Sequence, residues 1–383
     1  IFNDIQRMDF DDAVHQGLVE FMGAETDEAF LSNVLRQPID PDVVRRVADR
    51  FKIVYTPFHG AGWHLVPEAL HRLGMTQVIP VKEQMVLDGT FPTVKSPNPE
   101  NPEGFYLAVD LAKEVGSDLI LGTDPDSDRV GVMVRGADGE YHTITGNQMG
   151  VLLLDYIITA RRRKGTLPEN AAAISTIVTS KMVRRICDVN DIHFDETFTG
   201  FKFMAEKLAE YQRDGSYQYV LAFEESYGYL GTDLVRDKDA NAAVIMFCEM
   251  LGYLKSKGMT VDEYLDKIYL KCGYYLESLR SVYREGASGA KQIQDFLAKL
   301  GESPLESVGG VKVAKSVNFA KDVIFDADGI RIPPEKFYFY TLENGYSFAV
   351  RGSGTEPKIK FYAFAHEKAE NPEELVEAKK RAK

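Results

Sequence analysis

Along the chain, short continuous apolar runs alternate with amphipathic stretches, the pattern of strands and helices following one another. Residues 51–55 read as a buried strand, 56–62 as a Gly-containing turn, and 63–73 as an amphipathic helix that Gly74 closes. A strand at 75–81 completes a βαβ unit, which implies a parallel sheet. Leu107, Ala108, Leu111, Ala112 and Val115 mark a helical stripe, and residues 119–121 and 130–134 two further strands, the second turning at 137–139. A helix over 147–159 opens a second unit with strands at 174–178 and 219–223 and helices up to Val189, after Lys202 and at about 240–254.

After about Leu276 the period changes to two. Strands at 311–317, 337–341, 347–350 and 359–364 carry turns at Asp328-Gly329 and Asn344-Gly345, the latter a strong hairpin signal, and a charged helix closes the chain. The expected fold class is α/β: two doubly wound α/β domains plus a C-terminal α+β domain with an antiparallel sheet. The expected boundaries are 1–146, 147–276 and 277–383, with 1–40 as a helical lead-in offering Phe21, Met22 and Leu31 for docking. The basic run 161–164 reads as a solvated helix end, and the lone Trp63 as core.

Composition narrows the function. With 383 residues, the chain is longer than one core supports. A net charge of −13 argues against a nucleic-acid surface, which needs a basic stripe. Cys187, Cys248 and Cys272 lie far apart and read as core thiols of a reducing compartment. No apolar run reaches the length of a membrane span and the start carries no basic leader, so the cytoplasm is expected and no membrane partner. The first residue is Ile1, not Met, so the chain is expected to begin partway through a longer protein.

The chemistry concentrates in three stretches. Residues 119–121 deliver the chain into Asp124, Asp126 and Asp128, and Pro125, which has no N–H, stops the strand ladder. Three carboxylates within ~4 Å repel by about 4 kcal/mol per pair at an effective dielectric of ~20. A hard cation relieves that cost, and Mg²⁺ is the usual one beside phosphate. A solvated acidic turn is the plainer alternative. An EF-hand fails, because its sixth position would be Arg129 and its twelfth Arg135. In 351–358, Arg351, Ser353, Thr355 and Lys358 surround two glycines, a combination that favours an anion nest with a guanidinium fork over a plain turn.

In 223–228, Glu224 and Ser226 offer a carboxylate and a hydroxyl to vicinal sugar hydroxyls, with a solvated turn equally open. Residues 236–239 add Lys238, for phosphate contact or proton transfer, or simply as a charged helix start. Gly60 and Gly62 favour a tight turn over a phosphate cradle, His59 a packed side chain, and the Pro-rich 96–99 a structural role.

Residues 123–129, 223–228 with 236–239, and 351–358, in this order, resemble the α-D-phosphohexomutases, and the similarity covers almost the whole chain. The Glu-Glu-Ser-aromatic-Gly and Arg-Asp-Lys-Asp stretches are more similar to phosphoglucomutases than to phosphomannomutases. Family members have four domains, and the Ser-His-Asn-Pro signature of the serine-bearing first is absent: Ser96-Pro97-Asn98 lacks the His. The chain therefore resembles domains two to four.

The resemblance implies that Asp124, Asp126 and Asp128 hold Mg²⁺ and that Arg129 assists the transferring phosphoryl group. Glu224 and Ser226 would contact sugar hydroxyls, Arg351, Ser353 and Thr355 the non-reacting phosphate, and Lys238 and Lys202 proton transfer or substrate. It further implies interconversion of hexose 1- and 6-phosphates through a phosphoserine and a hexose 1,6-bisphosphate, electrostatics and positioning doing the catalysis. A small-molecule sugar phosphate is the expected partner, and this chain alone is expected to be inactive. A phosphopentomutase, a sugar-phosphate-binding protein without turnover, and a metal-dependent phosphohydrolase remain alternatives.

Overall fold

A computed structural model describes residues 5–231, 234–325, 329, 331–352 and 357–383. The lead-in forms α1 (Phe10–His15), α2 (Ala24–Val34) and α3 (Asp42–Arg45). Of its three candidate docking residues only Leu31 is buried, whereas Phe21 and Met22 stand 72% and 83% exposed. Leu31 shares the α2 face with Val34, and both pack into the main core beside Val43, Val44 and Val47.

Five strands make the first sheet: β1 (Lys52–Thr56), β2 (Gln77–Pro80), β3 (Leu119–Thr123), β4 (Val130–Arg135) and β5 (Tyr141–Ile144), in the order β2-β1-β3-β4-β5. β1 runs parallel to β2 and β3, and β4 and β5 continue antiparallel. The crossovers are α4 (Gly62–Leu73) and α5 (Tyr106–Val115). Gly74 ends α4 at φ 110°, where only glycine is unstrained. Trp63 is not core: α4 buries Val66, Ala69, Leu70 and Leu73, and Trp63 falls off that stripe, 41% exposed.

The second sheet has the order β7-β6-β8-β9, from β6 (Ala171–Thr176), β7 (His193–Thr197), β8 (Gln218–Glu224) and the antiparallel β9 (Gly228–Leu230). Its helices are α6 (Gly146–Lys164), α7 (Met182–Asn190), α8 (Phe201–Asp214), α9 (Ala240–Ser256) and α10 (Val261–Cys272). Strand β7 escaped the apolar-run pattern because it reads His-Phe-Asp-Glu-Thr and two of its three buried positions, Asp195 and Thr197, are polar.

The third sheet is antiparallel throughout, β10-β15-β14-β13-β12-β11. It comprises β10 (Tyr274–Tyr283), β11 (Ser307–Val308), β12 (Val311–Asn318), β13 (Phe337–Leu342), β14 (Ser347–Gly352) and β15 (Lys358–Glu367), with α11 (Gly286–Glu302) and α12 (Pro372–Arg381). β10 starts at Tyr274, three residues ahead of 277, and pairs with β15 along its whole length. Gly345 takes φ 84° at the expected hairpin turn, while Asp328 of the other turn lies outside the described residues.

The first two sheets share one apolar core. Val130 and Val132 of β4, Leu152 and Tyr156 of α6, Phe223 of β8 and Phe247 of α9 belong to the same buried cluster. Gly150 lets α6 approach β8, since a Cβ there would sit 1.9 Å from the Phe223 ring. The basic run ending α6 is not merely solvated: Arg163 and Lys164 pair with Asp40 at 3.3 and 3.1 Å, and Arg162 donates to Asn190. Asp40 is positioned by Glu249 of α9, a buried carboxylate that accepts from the N–H of Ile39 and Asp40 and from the Tyr156 hydroxyl, each at 2.7 Å. The three cysteines are buried free thiols, and burial pushes Cys187 up to about 12 and Cys272 up to about 11. Among the described residues no helix is long and apolar enough to cross a membrane.

Glu249→Ala strands two buried donors, the Asp40 N–H and the Tyr156 hydroxyl, and the half-buried Ile39 N–H, and buried groups cost about 1–3 kcal/mol each when unpaired. A loss of roughly 3 kcal/mol in urea unfolding is expected; a loss below about 1 kcal/mol would refute Glu249 as the clamp on the lead-in.

Candidate active site

The acidic loop leaves β3 and turns back into β4 within six residues. Ser127 takes φ 57° at the tip, so the chain reverses tightly enough to bring the three carboxylates together. One oxygen from each of Asp124, Asp126 and Asp128 lies within 4.8 Å of the others. The buried Asp124 accepts from the N–H of Asp128 and of Arg129, at 3.0 and 2.8 Å.

Burial, above all, pushes its carboxyl up to about 8, with Asp128 and Asp126 adding to the rise against the pull of the Arg129 N–H. The donors are all hard oxygens within reach of a single centre. These residues fit a divalent cation of the Mg²⁺ type.

Glycine at two positions lets the first turn approach the loop. A Cβ on Gly60 would sit 2.3 Å from Pro125 Cα, and one on Gly62 2.7 Å from Thr123 Oγ1. The Ala61 N–H donates to the Pro125 carbonyl at 2.7 Å. The glycines thus shape a turn that buttresses the acidic loop. His59 is a packed side chain, its ring nitrogens on the Val86 carbonyl at 3.0 Å and the Thr93 hydroxyl at 2.8 Å.

The second sheet meets this loop directly. Arg129 bridges Gly228, the Val130 N–H donates to Tyr227, and the Ala240 N–H donates to Ser127. Glu224, at the end of β8, accepts from the Gly200 N–H at 2.9 Å, and its carboxyl is raised by burial against the pull of Lys238, Arg129 and Arg351. Lys238 reaches Asp128 at 3.1 Å and Asp237 at 2.7 Å. Burial lowers its pKa, but the two carboxylates outweigh burial and hold the ammonium charged. Gly228 is required here, since a Cβ would sit 2.2 Å from Lys238 Cδ.

These loops, together with the third sheet, line a cleft of about 650 Å³ that includes Asp124, Asp126, Asp128, Glu224, Ser226 and Arg351. Arg351, at the end of β14, lies 3.6 Å from Glu335. Ser353 and Thr355 fall outside the described residues. Lys202 stands apart: it is exposed on α8, its ammonium 4.8 Å from the centre of the Phe203 ring, and it is not among the cleft's lining residues.

Three contributors were not singled out from sequence. Lys360 and Tyr362 line the cleft from β15, where period-two alternation is the signal that they share a face. Glu100 directly follows the Pro-rich 96–99 read as structural, and it pairs with Arg129 at 3.0 Å. An adjoining cavity of about 460 Å³ is lined by Asn98, Asn147, Glu225, Glu277, Tyr283 and Tyr362 among others.

Comparison with known proteins agrees with this layout. The family model for phosphoglucomutase/phosphomannomutase alpha/beta/alpha domain II matches residues 28–139, and that for domain III matches 145–272. The chain belongs to the phosphoglucomutase/phosphomannomutase family.

Among relatives in this family, a phosphoglucomutase of Staphylococcus saprophyticus is 32% identical over 384 residues, covering 98% of this chain and 67% of its own length. One of Staphylococcus aureus is 34% identical over 316 residues, 81% of this chain and 56% of its own. The chain thus spans from little more than half to two thirds of these relatives.

The fold is that of the Paramecium phosphoglucomutase parafusin in its open form (TM-score 0.60, 18% identity, 92% of this chain and 60% of that one). It is also that of a phosphoglucomutase/phosphomannomutase family protein from Burkholderia thailandensis (TM-score 0.52, 17% identity, 90% and 64%).

Glu277 beside the cleft makes folding pH-dependent. Burial pushes its carboxyl from 4.5 up to about 7, with the Ser180 hydroxyl and Lys181 pulling back. Within that window the folded chain keeps a proton that the unfolded chain releases, so stability falls as pH rises through it and levels off above. Glu277→Gln cannot ionise, and its melting temperature is expected to decline less than that of the wild type between about pH 5 and about pH 8. Parallel curves for the two proteins would refute this burial effect.

Proposed function

We propose that this chain carries the metal, sugar and distal-phosphate sites of a phosphoglucomutase-like enzyme that interconverts hexose 1-phosphate and hexose 6-phosphate. The observation that carries this reading is the convergence of three stretches far apart in sequence on one cleft, each bringing the group that the chemistry needs. In this reading residues 1–146, 147–276 and 277–383 are three domains around that cleft, of a cytoplasmic protein.

Asp124, Asp126 and Asp128 would hold Mg²⁺, which when bound supplies positive charge against the oxygens of the transferring phosphoryl group. Arg129, beside them, orients the same oxygens with its planar fork. Glu224 and Ser226 accept from and donate to the sugar hydroxyls and so fix the ring. Arg351, with Ser353 and Thr355, grips the phosphate that does not react, and this sets the distance between the reacting hydroxyl and the metal site.

Lys238 is charged and reaches the acidic loop, which supports it as the group that returns a proton to the leaving oxygen. Nothing in the position of Lys202 supports a similar role. The reading includes a phosphoserine donor and a hexose 1,6-bisphosphate that turns over between the two phosphate positions. The Ser-His-Asn-Pro signature of that donor is absent from the sequence, so the chain by itself is expected to bind substrate without converting it.

Calorimetry with glucose 1-phosphate and Mg²⁺, beside a mutase assay, tests this. Binding without turnover is expected, and no binding would overturn the reading. Binding of ribose 1-phosphate in preference would move the assignment to a phosphopentomutase. Arg351→Ala is expected to weaken glucose 1-phosphate at least about tenfold, the value of one charge-assisted fork. An unchanged Kd would remove the phosphate-grip assignment.

A further inference from the structure

Two cations stand close enough to the three aspartates to take a metal's place. Arg129 has its Nε 3.5 Å from Asp128 Oδ1 and 3.9 Å from Asp124 Oδ2, and Lys238 has its Nζ 3.1 Å from Asp128 Oδ2. Each also has a carboxylate of its own outside the triad. Glu100 takes Arg129 Nη1 at 3.0 Å, and Asp237 takes Lys238 Nζ at 2.7 Å.

The two tethers differ in burial. The Glu100 side chain is 20% exposed and sits in the cleft wall, whereas that of Asp237 is 67% exposed and adjacent in sequence to its partner. Solvent screens the second pair, so its hold is the weaker.

Glu100 is also held in place by its own loop. Its N–H donates to Asn98 Oδ1 at 2.9 Å, and Asn101 donates to the Ser96 hydroxyl at 2.8 Å. Pro99 packs against β4 where Gly131 leaves room, a Cβ there falling 2.7 Å from Pro99 Cβ. Glu100 and Arg129 are thus fixed from two loops that pack on the same strand.

We propose that Glu100 is a positioning residue that holds the Arg129 guanidinium at the rim of the aspartate triad, so that a divalent cation and not Arg129 neutralises Asp124 and Asp128. The inference rests on the metal-site reading above. Without Glu100, the guanidinium has the triad as its nearest counter-charge, moves onto it, and competes with the metal. The outer partners of metal-binding groups are commonly worth 10–100-fold in affinity.

The test is Mn²⁺ binding to this chain, followed by electron paramagnetic resonance and by calorimetry, without any turnover. Glu100→Gln is expected to weaken Mn²⁺ about tenfold, and Asp237→Asn by less than about threefold. The Glu100→Gln/Arg129→Gln double variant is expected to regain wild-type affinity or exceed it, because the competing cation is gone. A purely structural role for Glu100 predicts instead that the double variant is no better than Glu100→Gln, and that outcome overturns the proposal. Unchanged affinity in Glu100→Gln also overturns it, leaving the metal site intact. A wild-type chain that binds no Mn²⁺ overturns the metal-site reading together with the tether.

Discussion

Like charge held at short range is the condition around which this molecule is arranged. Asp124 is buried at the end of a strand, fixed by two backbone donors, with two more carboxylates within 4.8 Å. Asp124 keeps its place through the loop's own backbone, whereas Asp126 stands exposed at the turn. Everything adjacent answers that concentration of negative charge. Arg129 follows from the same loop, Lys238 arrives from the second sheet, and Gly228 is bare so that Lys238 can pass. The first and second sheets are joined at this point by backbone bonds, so the electrostatics and the architecture are settled together.

Much of this was legible in the chain because the informative residues cluster locally. Alternating aspartates after an apolar run mark a strand end and a loop that gathers carboxylates without any tertiary information. Asn344-Gly345 likewise names its own turn, and Gly74 its own helix end. What stayed hidden depends on contacts between distant segments. Glu100 looks like a charge in a Pro-rich turn until the fold sets it 3.0 Å from Arg129. Trp63 looks like core by size alone, yet the stripe of α4 leaves it outside. The basic end of α6 looked solvated because Asp40, its partner, lies over a hundred residues earlier.

The roles of Gly60 and Gly62 show the same limit from the other side. Their type was read as that of turn residues, and the turn is there. Its purpose, to let a backbone segment lie against Pro125 and Thr123, appears only once the two loops are in contact. A cleft assembled from strand ends is therefore easier to list than to shape from a sequence. The candidate site residues announce themselves, while the glycines and counter-ions that hold them apart do not.

The apolar core common to the first two sheets has a consequence for how the polypeptide behaves as matter. Because α9 packs against strands of both sheets within one core, a cut between residues 145 and 147 would expose oily surface on each fragment instead of releasing two self-sufficient globules. The first 272 residues should melt as a single calorimetric transition, even though two family models divide them. The third sheet is bound into the same mass, since Tyr274, Leu375 and Ala378 join that core and Phe337 and Phe364 pack with Val178 and Phe198, so loosening it would bare oily surface on the second unit as well.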